Sequence, residues 1–381
     1  MIYLDNAATS FPKPRNVLSE MFETYQRIGV SPGRGSYDLC VEAEEFVNGV
    51  RLQVCNLFGG ADPSRVVFAY NATDALNLLI QGLVEPGCHV VSSRLEHNSV
   101  LRPLHHLREQ GLISFELVPF GKEGFIDPED VSKAINPKTR FVILTHGSNV
   151  LGTIQPVEKI GEICRERRVP LALDVTQTAG ILAINMKKWG VSAVAFTGHK
   201  SLLGPTGIGG LVLSRELDVR TTRFGGTGMD SRSLNHSQSY PERLEAGTIN
   251  LLGVIGLSFG IRFIEGKGLE KLYAHEMALV RQLRDGLGSL KKVQLYCAQT
   301  LENHLPLLLC NIQGMGPEQV STILDGDFGI AARAGVHCAP LVHEDLGTSP
   351  HGGVRLSLGP FNTHEEIDNV LEAMTKISRD K

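Results

Sequence analysis

The sequence predicts an α/β fold, with a large domain built on a mainly parallel mixed sheet and a smaller α+β domain after it. Three observations predict it. Between about residues 65 and 213, short apolar runs rich in β-branched residues alternate with helical patterns. Polar residues follow the ends of those runs, and after Leu251 the alternation gives way to a long helical stretch and a different mix of elements. Strands separated by helices need crossover connections, so they pair in parallel and are buried on both faces.

In chain order, "RVVFAY" reads as a strand followed by the helix "DALNLLIQGL"; "HVVSS", "SFELVPF", "RFVILTH", "PLALDV", "AVAFTG" and "GGLVLS" supply the remaining strands. Asn71, Thr73, His97, Asn149, Asp174 and His199 come just after these strands. In open α/β sheets that edge is where ligands bind. A helical stretch over roughly 251–289 leads to strands "VQLY" and "LPLLLCNI", a helix from near Pro317, the strand "VRLSLG" and a last helix "THEEIDNVLEAMTKI". Thr363 is its expected N-cap, with Glu366 as capping-box partner. The expected division is a large domain over residues 13–260 and a small domain made from 1–12 and 261–381.

Composition narrows the function. At 381 residues, 42% hydrophobic and 20% charged, the chain is an ordinary globular one. A net charge of −4 without a basic tract argues against nucleic acid or an anionic membrane surface as partner. The longest apolar runs stop at Pro86 and Gly314, short of a membrane span, and Asp5 stands where a secretory signal would be basic. A cytoplasmic protein is expected. The cysteines at 40, 55, 88, 164, 297, 310 and 338 are odd in number and scattered, with no CxxC and no ligand spacing, so neither a disulfide frame nor a metal site is expected.

The stretch "AVAFTGHKSLLGPTG" carries the first chemical signal. Lys200 is either a solvated loop charge or an amine presented in a partly dry crevice, where desolvation would make it nucleophilic toward an aldehyde. The glycines after it precede a strand and do not form a nucleotide fingerprint. In "PLALDVTQ", Asp174 ends a strand and Gln177 follows; the acid caps a turn or faces a cation such as a protonated pyridine nitrogen. Thr73 lies at a helix start, where free N–H groups attract anions and where an ordinary N-cap would also sit. Thr197 and His199 flank the lysine within reach of the same anion, and His97 either lies flat on an aromatic ring or is a structural histidine. A second group lies in "AARAGVHCAPLVHEDLGT" and "GGVRLSLG". Cys338, between turn formers and beside Arg333 and His337, has the electropositive, accessible setting of a reactive thiol, on a loop whose glycines 335, 347, 352 and 353 suit movement. Arg355 either grips a carboxylate or forms a structural ion pair.

The ordered set "LDNAATS", "NATDALN", "EHNS", "THGSNVLGT", "LALDVTQ", "TGHKSLLGPTGIGGL", "LEAGTIN" and "RAGVHCAP…GGVRLSLG" resembles the cysteine desulfurase/selenocysteine lyase family, within the class V aminotransferases, over residues 2–376. The resemblance implies the fold type I of pyridoxal-phosphate enzymes and that cofactor. It implies Lys200 as the Schiff-base lysine, Asp174 on the pyridine nitrogen, Gln177 on the ring hydroxyl and His97 stacked on the ring. Thr73, Thr197 and His199 would hold the phosphate, joined by Thr248 from the neighbouring subunit of a homodimer. Asn149 and Arg355, with Arg333 as a further candidate, would bind the substrate carboxylate, and Cys338 would accept the sulfur. The implied activity converts L-cysteine to L-alanine with a persulfide on Cys338. Alternatives are a selenocysteine lyase acting on L-selenocysteine, a class V aminotransferase without thiol chemistry, and a non-catalytic sulfur-relay scaffold. An acceptor protein for sulfur or selenium is the implied partner. The chain departs from the family's second group at Val336, where a second histidine is usual, at "SPGRGSYDL", and in a longer stretch after Cys338.

Overall fold

Inward-facing positions on both sides of the central strands set the architecture. The computed structural model of the chain describes residues 1–228, 232–297 and 299–379. Seven strands form one sheet in the spatial order Val66–Ala69, Gly209–Leu213, Ala193–Thr197, Leu171–Asp174, Thr139–Thr145, Cys88–Ser93 and Ile113–Val118. Gly209–Leu213 runs antiparallel to both neighbours and every other pairing is parallel.

Successive side chains on a strand point to opposite faces, and the core divides accordingly. Val142, Leu144, Leu173, Val194 and Phe196 join one cluster; Phe141, Ile143, Ala172, Ala193 and Ala195 join another. Helices Asp38–Leu57, Val157–Arg167 and Leu251–Lys267 cover the first face, and Ala72–Leu83 and Asn98–Glu109 the second. This double burial is why the strands read as unbroken apolar runs. At Gly209 a Cβ would meet the Phe196 carbonyl oxygen at 2.6 Å and the Asn71 backbone at 2.9 Å, so only glycine lets that strand pass the start of helix Ala72–Leu83.

A second sheet of four antiparallel strands follows, in the order Arg333–Gly335, Gly353–Ser357, Leu307–Ile312 and Val293–Tyr296. Helices Leu269–Gly288, Pro317–Phe328 and His364–Arg379 pack on it around a third cluster that includes Leu283, Leu308, Leu324, Leu356 and Val370. The start of the chain joins this part: Ile2–Tyr3 pairs in parallel with Ile330–Ala331, and Leu4 enters the third cluster. The capping box of the last helix is reciprocal, with Glu366 N–H donating to Thr363 Oγ1 at 3.2 Å and Thr363 N–H to Glu366 Oε2 at 3.1 Å.

The stretch expected to be one helix over 251–289 is two. Gly268, at φ +87, breaks it into Leu251–Lys267 and Leu269–Gly288, a left-handed conformation that glycine adopts at little cost. The first piece packs on the large sheet through Val254, Ile255, Ile261 and Ile264, the second on the small one through Leu279, Val280 and Leu283. Asp380 and Lys381, the end of the expected span 261–381, lie outside the described residues. Among the described residues no helix is long and apolar enough to cross a membrane.

Candidate active site

The carboxyl ends of the large sheet's strands open into a cavity of about 310 Å³, closed on its far side by the small sheet. Thr73, His97, Asn149, Asp174 and Gln177 line it, as do Thr197, His199, Lys200, Arg333 and Arg355. Ten of the twelve residues singled out in the sequence therefore meet at one place. The other two, Cys338 and Thr248, do not line it.

Lys200 follows strand Ala193–Thr197 on a turn held by Ser10 Oγ and by Leu203 N–H, which donate to the Lys200 carbonyl at 2.9 and 2.8 Å. Burial, with Arg355 and Arg333 nearby, lowers its pKa to about 8 against the opposing pull of Asp174 and Asp5. A neutral amine is thus within reach at mildly alkaline pH. Asp174 is buried at the end of the adjacent strand, its Oδ1 accepting from Thr176 N–H at 2.9 Å. Gln177 Nε2 donates to Ala7 O at 3.1 Å, tying the "LDNAATS" segment to the cavity wall.

His97 caps helix Asn98–Glu109: Ser99 N–H donates to its Nδ1 at 3.0 Å. The cap makes Nδ1 an acceptor, so the ring proton of the neutral imidazole is on Nε2. Burial holds its pKa down at about 4; Asp174 opposes this, while Lys200, Arg333 and Arg102 add to it. His199 is held at about 4 as well, by burial and then by Lys200 and Lys13.

The anion end of the cavity is the N-terminus of helix Ala72–Leu83. Its N-cap is Asn71, whose Oδ1 accepts from Asp74 N–H at 3.0 Å, and not Thr73. Thr73 is the second residue of the helix, two positions past the cap, with its hydroxyl 2.6 Å from Ser99 Oγ. That frees Thr73 and the first helical N–H groups to face the cavity, where the helix dipole favours negative charge. Thr197 Oγ1, buried on the same wall, has no hydrogen-bond partner.

Arg355 is 1% exposed and stands directly across from Arg333 in the small sheet. Its Nη2 donates to Asp5 Oδ1 at 2.7 Å and its Nη1 to Asn149 O at 2.9 Å, leaving Nε without a partner. The structural ion pair and the carboxylate grip are therefore compatible in one side chain. Asn149 spends its side-chain amide on His337 O at 2.8 Å, so it also fixes the cysteine segment.

Cys338 is half-buried and lines a second, larger cavity of about 870 Å³ together with Thr73, His97, Ser99 and Arg102. Thr73, His97 and Ser99 face both cavities. Arg333 bridges the two groups, lining the Lys200 cavity with its Nη2 3.9 Å from Cys338 Sγ. The freely exposed loop expected here is instead an anchored one. Asn98 N–H donates to Cys338 O at 2.7 Å, and Arg94 pairs with Asp345 at 2.7 Å. His337 and Cys338 have φ of +50 and +58, a left-handed pair costing about 1–2 kcal/mol per residue. Burial pushes the Cys164 and Cys310 thiols up to about 12.

The sequence reading names Asn71 at a strand end but passes over three contributors. Ser99 is visible there only as a polar neighbour of His97. Asp5, in the "LDNAATS" motif, gave no sign that it would pair with Arg355. Glu96, in "EHNS", is fully buried and accepts from Ser93 Oγ at 2.6 Å and Thr145 N–H at 2.9 Å. Burial raises its pKa to about 8, so it is neutral behind the site near pH 7.

This combination of fold and site has a known family. Its model, described as aminotransferase class V, matches residues 2–370, and the chain belongs to that family. Members depend on pyridoxal 5′-phosphate, and the residues present fit it. Lys200 would take the aldehyde, Asp174 the ring nitrogen, and the orphaned Thr197 hydroxyl with the Thr73 helix N-terminus the phosphate. The large, mostly parallel sheet is that of fold type I. Among its relatives, a probable cysteine desulfurase of Pyrococcus abyssi is 34% identical over 100% of this chain and 95% of that protein. One from Methanothermobacter thermautotrophicus is 33% identical over 99% of this chain and 94% of that protein. The solved apo cysteine desulfurase of Thermococcus onnurineus superposes with a TM-score of 0.94 at 34% identity, covering 100% of this chain and 95% of that one.

Proposed function

We propose that the chain is a pyridoxal-phosphate-dependent cysteine desulfurase. It converts L-cysteine to L-alanine and moves the sulfur onto Cys338, leaving a persulfide. The observation that carries this reading is the shared wall: a lysine cavity and a cysteine cavity separated only by Thr73, His97 and Ser99, with Arg333 reaching both. A class V aminotransferase has no use for a thiol there.

Bound in the Lys200 cavity, the cofactor supplies an electron sink for charge developing at the substrate Cα. The chain's residues do the rest. Arg355 holds the substrate carboxylate through its free edge while Asp5 and Asn149 O fix its other edge. Lys200, its pKa lowered to about 8 so that a sizeable fraction is neutral at mildly alkaline pH, takes the Cα proton. Asp174 provides the fixed negative charge at the ring end of the cavity, and the His97 ring closes the wall toward Cys338. The Cys338 sulfur attacks the substrate sulfur; the carbon–sulfur bond breaks with its electron pair left on Cβ, which takes up one proton, and Lys200 returns the Cα proton to complete alanine. One sulfur atom has moved from cysteine to enzyme.

Thr248 is exposed and lies beside Asp74 and Arg223, outside the Lys200 cavity of its own chain. In a homodimer it reaches the phosphate end of the partner's site. All seven cysteines are free, which fits a reducing, cytoplasmic setting.

The test is a visible spectrum with added pyridoxal phosphate, followed by alanine release from L-cysteine and L-selenocysteine by the unsubstituted chain and by Cys338→Ala. The expected result is a yellow protein that releases alanine from cysteine only when Cys338 is present. Cofactor binding without turnover would leave a sulfur-relay scaffold. Turnover of selenocysteine alone would make it a lyase.

A further inference from the structure

Behind Cys338 lies a buried pair of histidines, of which His337 edges the Lys200 cavity and His343 lines neither that cavity nor the cysteine one. His337 is 2% exposed and His343 0%. His343 sits in helix Pro340–Asp345, which follows the cysteine in sequence. Three contacts run in line. Thr348 Oγ1 lies 2.8 Å from His343 Nδ1, His343 Nε2 lies 3.5 Å from His337 Nδ1, and His337 Nε2 lies 3.1 Å from Arg333 O.

With both rings neutral, donor and acceptor roles in this chain have one consistent solution. A carbonyl only accepts, so His337 Nε2 carries the proton given to Arg333 O. The neutral ring then has a bare Nδ1, and the nitrogen facing it, His343 Nε2, must be the donor. His343 Nδ1 is bare in turn and accepts from the Thr348 hydroxyl. Both rings stay neutral: burial lowers His343 to about 4 and His337 further, with Arg355 adding to the effect on His337. A second proton on His337 would face the His343 Nε2 proton head to head, whereas at the far end the Thr348 hydroxyl also reaches His343 O at 3.4 Å.

The chain ends on the backbone that carries the thiol. Arg333 O belongs to the strand whose side chain reaches Cys338 Sγ, and His337 and Cys338 are the two consecutive left-handed residues. Two consecutive non-glycine residues rarely share that conformation, so something outside the pair must hold it. The turn beyond His343 closes on the same place. His343 O accepts from Thr348 N–H at 2.9 Å, Gly352 N–H donates to Thr348 O at 2.7 Å, and Gly352 lies against the Gly335 carbonyl.

We propose that His343 is a positioning residue for sulfur transfer: through His337 it locks the left-handed turn that aims Cys338 Sγ at the wall shared with the Lys200 cavity. This deepens the desulfurase reading and rests on it. His343 touches neither substrate nor cofactor and acts through His337 alone.

The test uses the cofactor-loaded chain and two readouts, turnover of L-cysteine and the rate at which iodoacetamide alkylates Cys338, followed by mass spectrometry of its peptide. His343→Phe keeps the ring volume and removes both nitrogens. The expected result is a kcat at least fivefold lower at unchanged KM and unchanged cofactor absorbance, with Cys338 alkylated at least threefold faster because its turn has loosened. His343→Gln, which can accept from Thr348 and donate to His337, restores both toward the unsubstituted values. Should His343→Phe fail to fold, Thr348→Val removes the chain's far donor from a half-exposed position and carries the same expectation at smaller size. Unchanged alkylation in the folded variants overturns the proposal, as does a loss that His343→Gln shares in full. If the unsubstituted chain makes no alanine, the desulfurase reading fails, whereas the alkylation rates still decide whether His343 holds the cysteine turn.

Discussion

Two regions meet over one shared wall and hold their reactive groups in different ways. Lys200 rests on a short turn at a sheet edge, its carbonyl bonded to Ser10 and to Leu203, itself left-handed at φ +59, and Gly204 N–H is bonded to Gly198 O at 2.9 Å. Cys338 rests on two left-handed non-glycine residues, held from outside by Asn98, Asn149 and the histidine pair. The difference follows from the chemistry each group performs. An amine that must be neutral needs a fixed, dry position, which a buried sheet edge provides. A thiol that takes sulfur and then gives it up needs a position open to a second cavity, which the anchored turn holds in place.

Substitutions can break the two regions separately. The largest expected effect is at the amine: Lys200→Ala lowers alanine release by roughly 10³-fold or more while Cys338 stays alkylatable. Residual turnover within tenfold of the unsubstituted chain would remove Lys200 from the chemistry. Next comes the pH response of that amine in cofactor-free protein. Its pKa is lowered from 10.5 to about 8, so acylation of Lys200 should rise with pH and level off just above 8. Exposed lysines should keep rising toward their ordinary value, giving Lys200 on the order of 100-fold more neutral amine at pH 8. A Lys200 labelling curve that tracks the exposed lysines would mean the cavity is wet. The same shift has a stability consequence: between pH 8 and 10.5 the unfolded chain binds the extra proton, so this group's contribution rises with pH in that window.

Arg355→Lys keeps the charge beside Asp5 but loses the planar fork, and an increase of about tenfold in KM for cysteine is expected with a smaller change in kcat. An unchanged KM would leave Arg355 as a structural ion pair only. The smallest effect is at the cysteine turn's base. Gly352 has φ +77 and lies against Gly335, so Gly352→Ala should cost about 1–3 kcal/mol by denaturant titration. Turnover should fall a few-fold without loss of cofactor absorbance. A loss of absorbance in that variant would show that the two regions are not separable.

The large sheet was legible because strands buried on both faces leave continuous apolar runs, and its polar ends pointed to the cavity directly. The small part was less so. The break at Gly268 was hidden because Gly253, Gly256 and Gly260 sit inside the preceding helix, so glycine gave no distinct stop signal. Gly256 is kept there by packing, with Pro205 where its Cβ would be. Thr73 was correctly placed at a helix start, but Asn71 takes the cap because its side chain reaches Asp74 N–H. The Asp5–Arg355 pair joins residues 350 positions apart and has no local signature. The anchored cysteine turn is also unreadable, since its supports come from Asn98, at the start of a helix, and Asn149, in the turn after strand Thr139–Thr145, both far away in sequence.

The central claim is that the Lys200 amine and the Cys338 thiol act on the same substrate molecule across the wall formed by Thr73, His97 and Ser99. A single turnover with L-cysteine, quenched and analysed for free alanine and for sulfur added to the Cys338 peptide, tests it directly. The account predicts one added sulfur on Cys338 for each alanine formed. Alanine accumulating beside an unmodified Cys338 would contradict it.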